Sequence, residues 1–248
     1  MKNDTSIEFI HFLERIETLG GKKLVRGHAT RSILGMVFTV TKLLKDNPNA
    51  KVLNLFASRD DSGFRESVYQ PLFLPEQYVG VDFWQDKFIF EGKTLPNSYT
   101  LPFPDSSFDV VMTTKVILEH ISEPELFLRE VNRVLKNGGE AFLLAPFITI
   151  GHQAPYDFFR YTEFGLKYLF KKTGLELVSL DRSNSDFMTT MDARAMFSVM
   201  GVLPWVVRRV IAVYTKHVRY PIARLLDRFI PNQGRFPKYY ICRVRKQI

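Results

Sequence analysis

The sequence predicts an α/β protein in which strands alternate with helices around a mostly parallel sheet. Short apolar runs of strand length recur along the chain, and polar or glycine-containing turns separate them. Stretches with apolar residues at helical spacing lie between several of these runs. This alternation is typical of a sheet covered by helices on both faces. The expected strands are AKVLNLFA, PEQYVGVDFW, SFDVVMTTKV, EAFLLAPF, LELVSLD and KYYICRVRK.

The helices are predicted from apolar periodicity and from capping residues. Residues 6–18 and 30–44 carry apolar side chains at helical spacing, and GGKK and KDNPN end the two segments. Ser122 and Glu125 form a capping-box pattern at the start of a helix with a clear apolar stripe. Thr162 is placed to cap the helix that begins with EFGL.

Composition and spacing indicate a globular chain of 248 residues, with 46% apolar and 24% charged residues. We expect an N-terminal helical segment over residues 1–48 that packs on the core. An α/β domain then covers 49–185, a helical insertion covers 186–236, and the strand in 237–248 returns to the domain. The single cysteine excludes a disulfide framework and a multi-cysteine metal site. We therefore assign no metal ligands from the sequence.

The charge is distributed asymmetrically along the chain. Residues 191–248 contain twelve Lys/Arg and two Asp, whereas the remaining residues contain 22 Lys/Arg and 24 Asp/Glu. Such a charge asymmetry indicates what kind of partner the protein binds and says nothing about its fold. We expect no secretion signal from the first residues, and the longest apolar stretch, FSVMGVLPWVV, stops short of the ~18 residues of a spanning helix. The prediction is a cytoplasmic protein that is peripheral at the membrane.

One acidic residue, Asp82, follows the apolar run YVGV directly. Ligands of open α/β sheets bind at the carboxyl ends of the strands. A carboxylate at such an end can accept hydrogen bonds from both hydroxyls of a ribose. The alternative is that Asp82 caps the next turn.

The block TLPFPDSSFDVVMTTKVILEHISEPELFLREVNRVLKNGGEAFLLAPF, residues 100–147, closely resembles the class I S-adenosylmethionine-dependent methyltransferases. The resemblance lies in the LPFP turn, the FD that opens a strand, the later LEH, the helix FLREVNRVLKNGG and a strand that ends in proline. The run HQAPYDFFRYTEFGLKYLFKKTGLELV is similar to the segment that follows in one branch of these enzymes. The resemblance implies a Rossmann-like fold with an antiparallel last strand, S-adenosylmethionine as cofactor and methyl transfer as the reaction. An oxygen or nitrogen acceptor is our own hypothesis.

The same resemblance implies residues for the cofactor site. Asp82 corresponds to the acid that binds the ribose, and Asn97 falls where a polar residue often faces the adenine amine. Thr113, Thr114 and Lys115 lie at the end of the strand that faces the methionine part of the cofactor.

The turn after the first strand departs from the family pattern of an acidic residue followed by glycines at alternate positions. Aligned on KVLNL, these places are occupied by Asn54, Phe56, Ser58 and Asp60. Glycine lets the backbone adopt positive φ and approach a ligand closely. We therefore expect Asn54, Phe56 and Ser58 to border the cofactor only if the ring of Phe56 turns away. The alternative is a catalytically inactive relative that acts as a scaffold or partner subunit at the membrane surface.

The candidate acceptor side is GHQAPYDFFRY, which contains His152, Asp157, Arg160 and Tyr161 directly after a strand. His152 is the candidate base, because an oxygen or nitrogen nucleophile gains when a histidine takes its proton. The alternative is that Asp157 and Arg160 pair to fix the loop while His152 bonds to the backbone. His120 is expected to be structural.

The insertion contains LPWVVRRVIAVYTKHVRYPIARLLDRFI, residues 203–230, in which basic residues interrupt an apolar surface. A basic amphipathic helix with Trp205 at its start is typical of a membrane-surface element. We predict that Pro221 breaks it and that residues 191–236 contact an anionic membrane. The acceptor is then a glycan, a lipid-linked molecule or another membrane-proximal small molecule. Packing on the sheet domain and a homodimer seam are the alternatives, and nucleic acid is not expected as a partner.

Overall fold

A computed structural model describes residues 7–19, 28–57, 69–96, 99–183, 204–230 and 234–247. The described helices are α1 (Ile7–Thr18), α2 (His28–Lys45), α3 (Pro124–Val134), α4 (Glu163–Lys172), α5 (Trp205–Tyr214) and α6 (Tyr220–Phe229). Short 3₁₀ turns occupy Gln70–Leu72 and Leu118–His120, and a π segment occupies Thr215–Arg219. The strands are β1 (Val52–Leu55), β2 (Tyr78–Trp84), β3 (Lys87–Phe90), β4 (Lys93–Thr94), β5 (Phe108–Thr113), β6 (Leu135–Pro146), β7 (Leu175–Arg182) and β8 (Tyr239–Lys246).

The strands form one sheet in the order β4-β3-β2-β1-β5-β6-β8-β7. Strand β1 pairs in parallel with both β2 and β5, and β5 pairs in parallel with β6. The last strand, β8, lies antiparallel between β6 and β7. The predicted α/β class, the mostly parallel sheet and the antiparallel last strand are therefore confirmed.

Alternation along the strands divides the core into two layers. In β1, Val52 faces the side that α1 and α2 cover, and Leu53 and Leu55 face the side of α3 and α4. The periodic stripe of α3 is fully buried there, and it consists of Phe127, Leu128, Val131 and Val134. Burying each of these side chains stabilises the fold by about 1.5–3 kcal/mol. Helices on both faces leave the carboxyl ends of the parallel strands as the accessible edge.

The predicted capping box of α3 is wrong. The N-cap residue is Glu123, and it makes no side-chain capping bond. The hydroxyl of Ser122 bonds instead to the carboxylate of Asp86, which also accepts the Ser122 N–H at 3.1 Å. Asp86 lies in the tight turn between β2 and β3, so a contact distant in sequence displaces the local capping pattern. Thr162 does cap α4, with its hydroxyl accepting the Gly165 N–H at 3.1 Å.

The hairpin of β2 and β3 was not predicted. Its two turn residues, Gln85 and Asp86, adopt φ of 50° and 62°. Such turns usually contain glycine or Asn-Gly, which make hairpins visible in a sequence. Gln-Asp gives no comparable signal.

The insertion contains a helix that continues through Pro221, so the predicted break is wrong. The π segment Thr215–Arg219 joins α5 to α6 with helical backbone angles on both sides. Proline has no N–H to donate to the carbonyl four residues earlier in the helix. The π segment immediately before Pro221 changes the local hydrogen bonding, and the helix continues. None of the described helices is both long and apolar enough to cross a bilayer.

Candidate functional site

Strand register brings three predicted site positions to one edge of the sheet. Leu55 of β1 pairs with both Val81 of β2 and Thr113 of β5. The residues that follow these partners, Phe56, Asp82 and Thr114, therefore lie side by side at the carboxyl edge. This is the edge at which open parallel sheets bind ligands.

Phe56 adopts a backbone conformation that glycine normally supplies. Its φ is 85°, which is rare for a bulky residue. Its N–H and that of Ala57 both donate to the carbonyl of Val81, at 2.7 and 3.1 Å. The Phe56 ring is 9% exposed and packs on Phe83 with centroids 4.9 Å apart. The turn thus retains a glycine-type bend although the glycine is absent, and the core contact of the ring holds it.

Exchanging Phe56 for alanine or glycine tests this conformation. Both variants lose ring packing, so we expect each to be destabilised by about 3 kcal/mol. Because φ is positive, Phe56→Gly should nevertheless be about 1 kcal/mol more stable than Phe56→Ala. Denaturant unfolding measures both. Phe83 is the matched control, since at this ordinary strand position glycine should be the less stable replacement. An Ala variant of Phe56 that is more stable than the Gly variant would contradict the assignment.

The other predicted cofactor residues differ in accessibility. Asn54 is fully buried and donates from Nδ2 to the Tyr78 hydroxyl at 2.9 Å, while its Oδ1 receives no hydrogen bond from any described residue. Thr113 is fully buried and accepts the Leu144 N–H at 3.2 Å. Asp82 and Lys115 are half-buried, whereas Thr114 is 7% exposed. Asn54 and Thr113 therefore lie in the interior beneath the carboxyl edge, whereas Asp82 and Lys115 are partly exposed at that edge.

Two of the predicted cofactor positions, Ser58 and Asn97, lie outside the described residues.

Asp109, at the opposite end of β5, accepts the Lys51 N–H at 2.8 Å and pairs with Lys136 at 2.7 Å. Those contacts give Asp109 a structural role in joining β1, β5 and β6.

The hairpin beyond Asp82 is fixed to α3 by polar side chains. The Tyr99 hydroxyl and the Ser122 hydroxyl both bond to the Asp86 carboxylate, and the Glu123 N–H donates to the Tyr99 oxygen at 3.3 Å. Burial and the Asp86 carboxylate raise the pKa of Tyr99 to about 12. Tyr99 therefore stays protonated and serves as a fixed link beside the edge.

The acceptor segment after β6 is held by a clamp of Asp157 and Arg160. The Asp157 carboxylate accepts two bonds from the guanidinium, at 2.7 and 2.9 Å, and it also accepts the His152 N–H at 2.8 Å. Arg160 donates to the carbonyl of Ile150 at 3.0 Å. The guanidinium holds the pKa of Asp157 at about 2, so the pair stays charged at neutral pH. These contacts fit the loop-fixing interpretation of Asp157 and Arg160.

His152 and Tyr161 occupy different environments in this segment. The His152 side chain is 36% exposed, and its Nδ1 lies 3.1 Å from the carbonyl of Ile150. Tyr161 is buried and donates to the carbonyl of Leu118 at 3.0 Å, and burial raises its pKa. Tyr161 therefore fixes the loop, and His152 is the accessible candidate base.

The sequence interpretation missed Glu119, which the fold places against this segment. The Phe158 N–H donates to the Glu119 carbonyl at 2.7 Å, which joins the turn after β5 to the loop after β6. His120, expected to be structural, stacks edge-on against His152 with ring centroids 4.9 Å apart. The signal in the sequence was LEH in the turn that follows a strand, since that turn puts an acid and a histidine at the ligand-binding edge.

Comparison with known proteins finds methyltransferases. Residues 67–143 match the family described as "Methyltransferase domain", and the match begins after β1 and its turn. An uncharacterized methyltransferase of Bacillus subtilis is 41% identical over 58 residues, covering 23% of this chain and 20% of the relative. A ubiquinone/menaquinone biosynthesis C-methyltransferase of Xanthomonas oryzae is 48% identical over 48 residues, 19% of each chain. The chain thus spans about a fifth of the length of each relative.

A solved structure of an S-adenosylmethionine-dependent methyltransferase from Mesorhizobium loti aligns with a TM-score of 0.45 at 11% identity. The alignment covers 90% of this chain and 100% of the other. The resemblance to the methyltransferase family that the sequence indicated is confirmed by the family match.

Proposed function

We propose that this chain, whose residues 67–143 match the methyltransferase domain family, is an S-adenosylmethionine-dependent methyltransferase. The observation that carries the proposal is the shared edge of Phe56, Asp82 and Thr114, fixed by the register of β1 with β2 and β5. A half-buried carboxylate at this edge suits the two hydroxyls of a ribose.

The residues present fit the cofactor despite the missing glycines. At Phe56 the chain bends with φ of 85°, and the ring packs against Phe83. The N–H groups of Phe56 and Ala57 donate to the carbonyl of Val81, the residue directly before Asp82. These two hydrogen bonds therefore fix the turn beside the Asp82 carboxylate. Bound S-adenosylmethionine supplies an electrophilic methyl group on a sulfonium. The chain must then position the acceptor in line with that group, and positioning contributes much of the rate.

The proposed acceptor nucleophile is an oxygen or nitrogen. His152 projects from the loop after β6, and Asp157 and Arg160 hold that loop. With Nδ1 bonded to the Ile150 carbonyl, Nε2 is the nitrogen that can accept a proton. A proton acceptor at this position favours an alcohol or amine substrate.

Binding calorimetry with S-adenosylmethionine and S-adenosylhomocysteine tests the proposed function. We expect both ligands to bind with one site per chain. The alternative, a catalytically inactive scaffold or partner subunit, predicts no heat with either ligand at millimolar concentration. That outcome would remove the enzyme proposal.

We further propose that α5 and α6 bring the enzyme to an anionic membrane surface, where the acceptor is a glycan, a lipid-linked molecule or another membrane-proximal compound. Apolar side chains at three- and four-residue spacing form an outward stripe along both helices, and Thr215 and Ala223 on the other side are buried. The stripe comprises Val206, Val210, Val213, Tyr214, Val218, Ile222, Leu225 and Phe229, each between 38% and 73% exposed.

The charge on these helices supports an anionic membrane as the partner that covers the stripe. Arg209, Lys216 and Arg228 are exposed on α5, on the π segment and on α6, and residues 191–248 carry twelve Lys/Arg against two Asp. Each basic residue near an anionic leaflet adds about 1 kcal/mol of attraction. An apolar stripe flanked by basic residues is the pattern of a helix that lies in the bilayer interface.

Liposome flotation checks the membrane proposal. We expect the chain to float with phosphatidylserine-containing vesicles and Val210→Asp with Leu225→Asp to reduce the bound fraction at least about tenfold, because each change places a charge in the apolar stripe. Val178→Asp is the matched control, since this β7 valine is also exposed, at 39%, but lies outside the stripe. Unchanged flotation of the double variant would contradict the proposal. A concentration-dependent dimer lost in the same variant would indicate a homodimer seam instead.

A further inference from the structure

A carboxylate and two imidazoles converge where the turn after β5 meets the loop after β6. Glu119, His120 and His152 each offer one ligand atom, and these atoms lie within 4.8 Å of one another. Nε2 of His120 is 3.8 Å from Glu119 Oε1, and Nε2 of His152 is 3.9 Å from the same oxygen. Both rings thus point the same nitrogen at one carboxylate.

The outer nitrogens of the two rings are already engaged. Nδ1 of His120 lies 2.5 Å from the carbonyl of Tyr156, and Nδ1 of His152 lies 3.1 Å from the carbonyl of Ile150. A carbonyl can only accept, so each neutral ring carries its proton on Nδ1 and directs a lone pair from Nε2 toward Glu119. Histidines that bind metals characteristically donate their other N–H to a carbonyl or carboxylate in this way.

The distances between the groups suit a shared ion better than direct hydrogen bonds. At 3.8 and 3.9 Å, the Nε2 to Oε1 separations are too long for a hydrogen bond. Ligand atoms at about 2.0–2.2 Å from one cation lie roughly 3–4 Å apart, which matches these separations.

The Glu119 carboxylate requires compensation. Its residue is 2% exposed, and Oε2 accepts no hydrogen bond within the part of the chain that the structure describes. A buried carboxylate is costly unless it is paired or coordinates a cation, and Arg160 is directed to Asp157.

We propose that Glu119, His120 and His152 form a site for one divalent transition-metal ion of the Zn²⁺, Co²⁺ or Fe²⁺ type. Two imidazoles and one carboxylate are ligands that these ions accept, whereas Mg²⁺ and Ca²⁺ prefer oxygen ligands. Three protein ligands leave a coordination position open, as in catalytic metal sites. With the ion bound, Nε2 of His152 is a ligand and no longer the base, so the ion at its open position would instead lower the pKa of an acceptor oxygen. This role rests on the proposed function, but the binding of the ion does not.

Metal titration of the tag-free, chelator-stripped protein tests the site without any methyl transfer. We expect one Co²⁺ per chain, seen as visible d–d absorption, and its displacement by one Zn²⁺ in calorimetry. His152→Ala and Glu119→Gln should each weaken binding at least about 100-fold, since removal of outer-shell partners alone costs 10–100-fold. His11→Ala and His217→Ala are matched controls because these histidines are exposed and lie on other elements.

Wild-type protein provides a second readout in case a variant fails to fold. Zn²⁺ should protect the partly exposed His152 from diethyl pyrocarbonate, as located by mass spectrometry, and leave His11 and His217 reactive. The proposal is overturned if no ion binds, if His152→Ala and Glu119→Gln bind like the wild type, or if protection falls equally on all histidines. A wild-type protein that binds Co²⁺ but not S-adenosylmethionine would contradict the proposed function and leave the metal site intact.

Discussion

Replacing Asp82 with alanine is expected to weaken S-adenosylmethionine binding at least about 100-fold. The carboxylate lies next to the positive-φ turn at Phe56, where it can accept two hydrogen bonds from a ribose. Each hydrogen bond to a charged group contributes about 1.5–3 kcal/mol. Losing both hydrogen bonds therefore raises the dissociation constant more than about 100-fold. Calorimetry at several ligand concentrations measures the loss.

The competing interpretation of Asp82, a residue that only caps its turn, gives a different result. It predicts a lower melting temperature together with unchanged affinity of the folded protein. Asp46→Ala is the control, since Asp46 is exposed in the loop after α2 and should leave both quantities unchanged. Retained affinity in Asp82→Ala would contradict a role in ribose binding.

Breaking the clamp of Asp157 and Arg160 is expected to destabilise the protein by about 2–3 kcal/mol. Their side chains are only 11% and 26% exposed, and either single substitution leaves the other charge without its partner. Removing one partner of a fully buried pair costs 3–5 kcal/mol, and this pair is partly solvated. The double variant Asp157→Ala with Arg160→Ala should lose less than the sum of the single variants. Denaturant unfolding then gives a coupling energy of about 1–3 kcal/mol.

The exposed pair of Glu8 and Lys42 is the control for this cycle. Its side chains are 62% and 54% exposed at a separation of 2.8 Å, and exposed pairs couple by about 0.2–1 kcal/mol. A coupling no larger than this for Asp157 and Arg160 would show that the clamp does not fix the loop.

Local patterns predicted the sheet and its covering helices well. The strands around KVLNL and EAFLLAP and the stripe of α3 are visible because periods of 2 and 3.6 residues follow directly from the geometry of each element. Thr162 capped as expected, since its partner lies three residues away in the same helix.

Features that depend on distant contacts were not predictable from the sequence. Ser122 satisfies a capping pattern, but Asp86 from another hairpin takes its hydroxyl. Phe56 breaks the glycine pattern, yet packing on Phe83 holds the backbone at φ 85°. The convergence of Glu119 with His152 requires the loops after β5 and β6 to meet, which no local spacing indicates.

A crystal structure grown with S-adenosylhomocysteine tests the central proposal most directly. We predict that the ribose hydroxyls lie within hydrogen-bond distance of the Asp82 carboxylate while the Phe56 ring stays on Phe83. A structure at saturating ligand in which no cofactor density appears beside Asp82, and in which Phe56 and its turn fill that space, would contradict it.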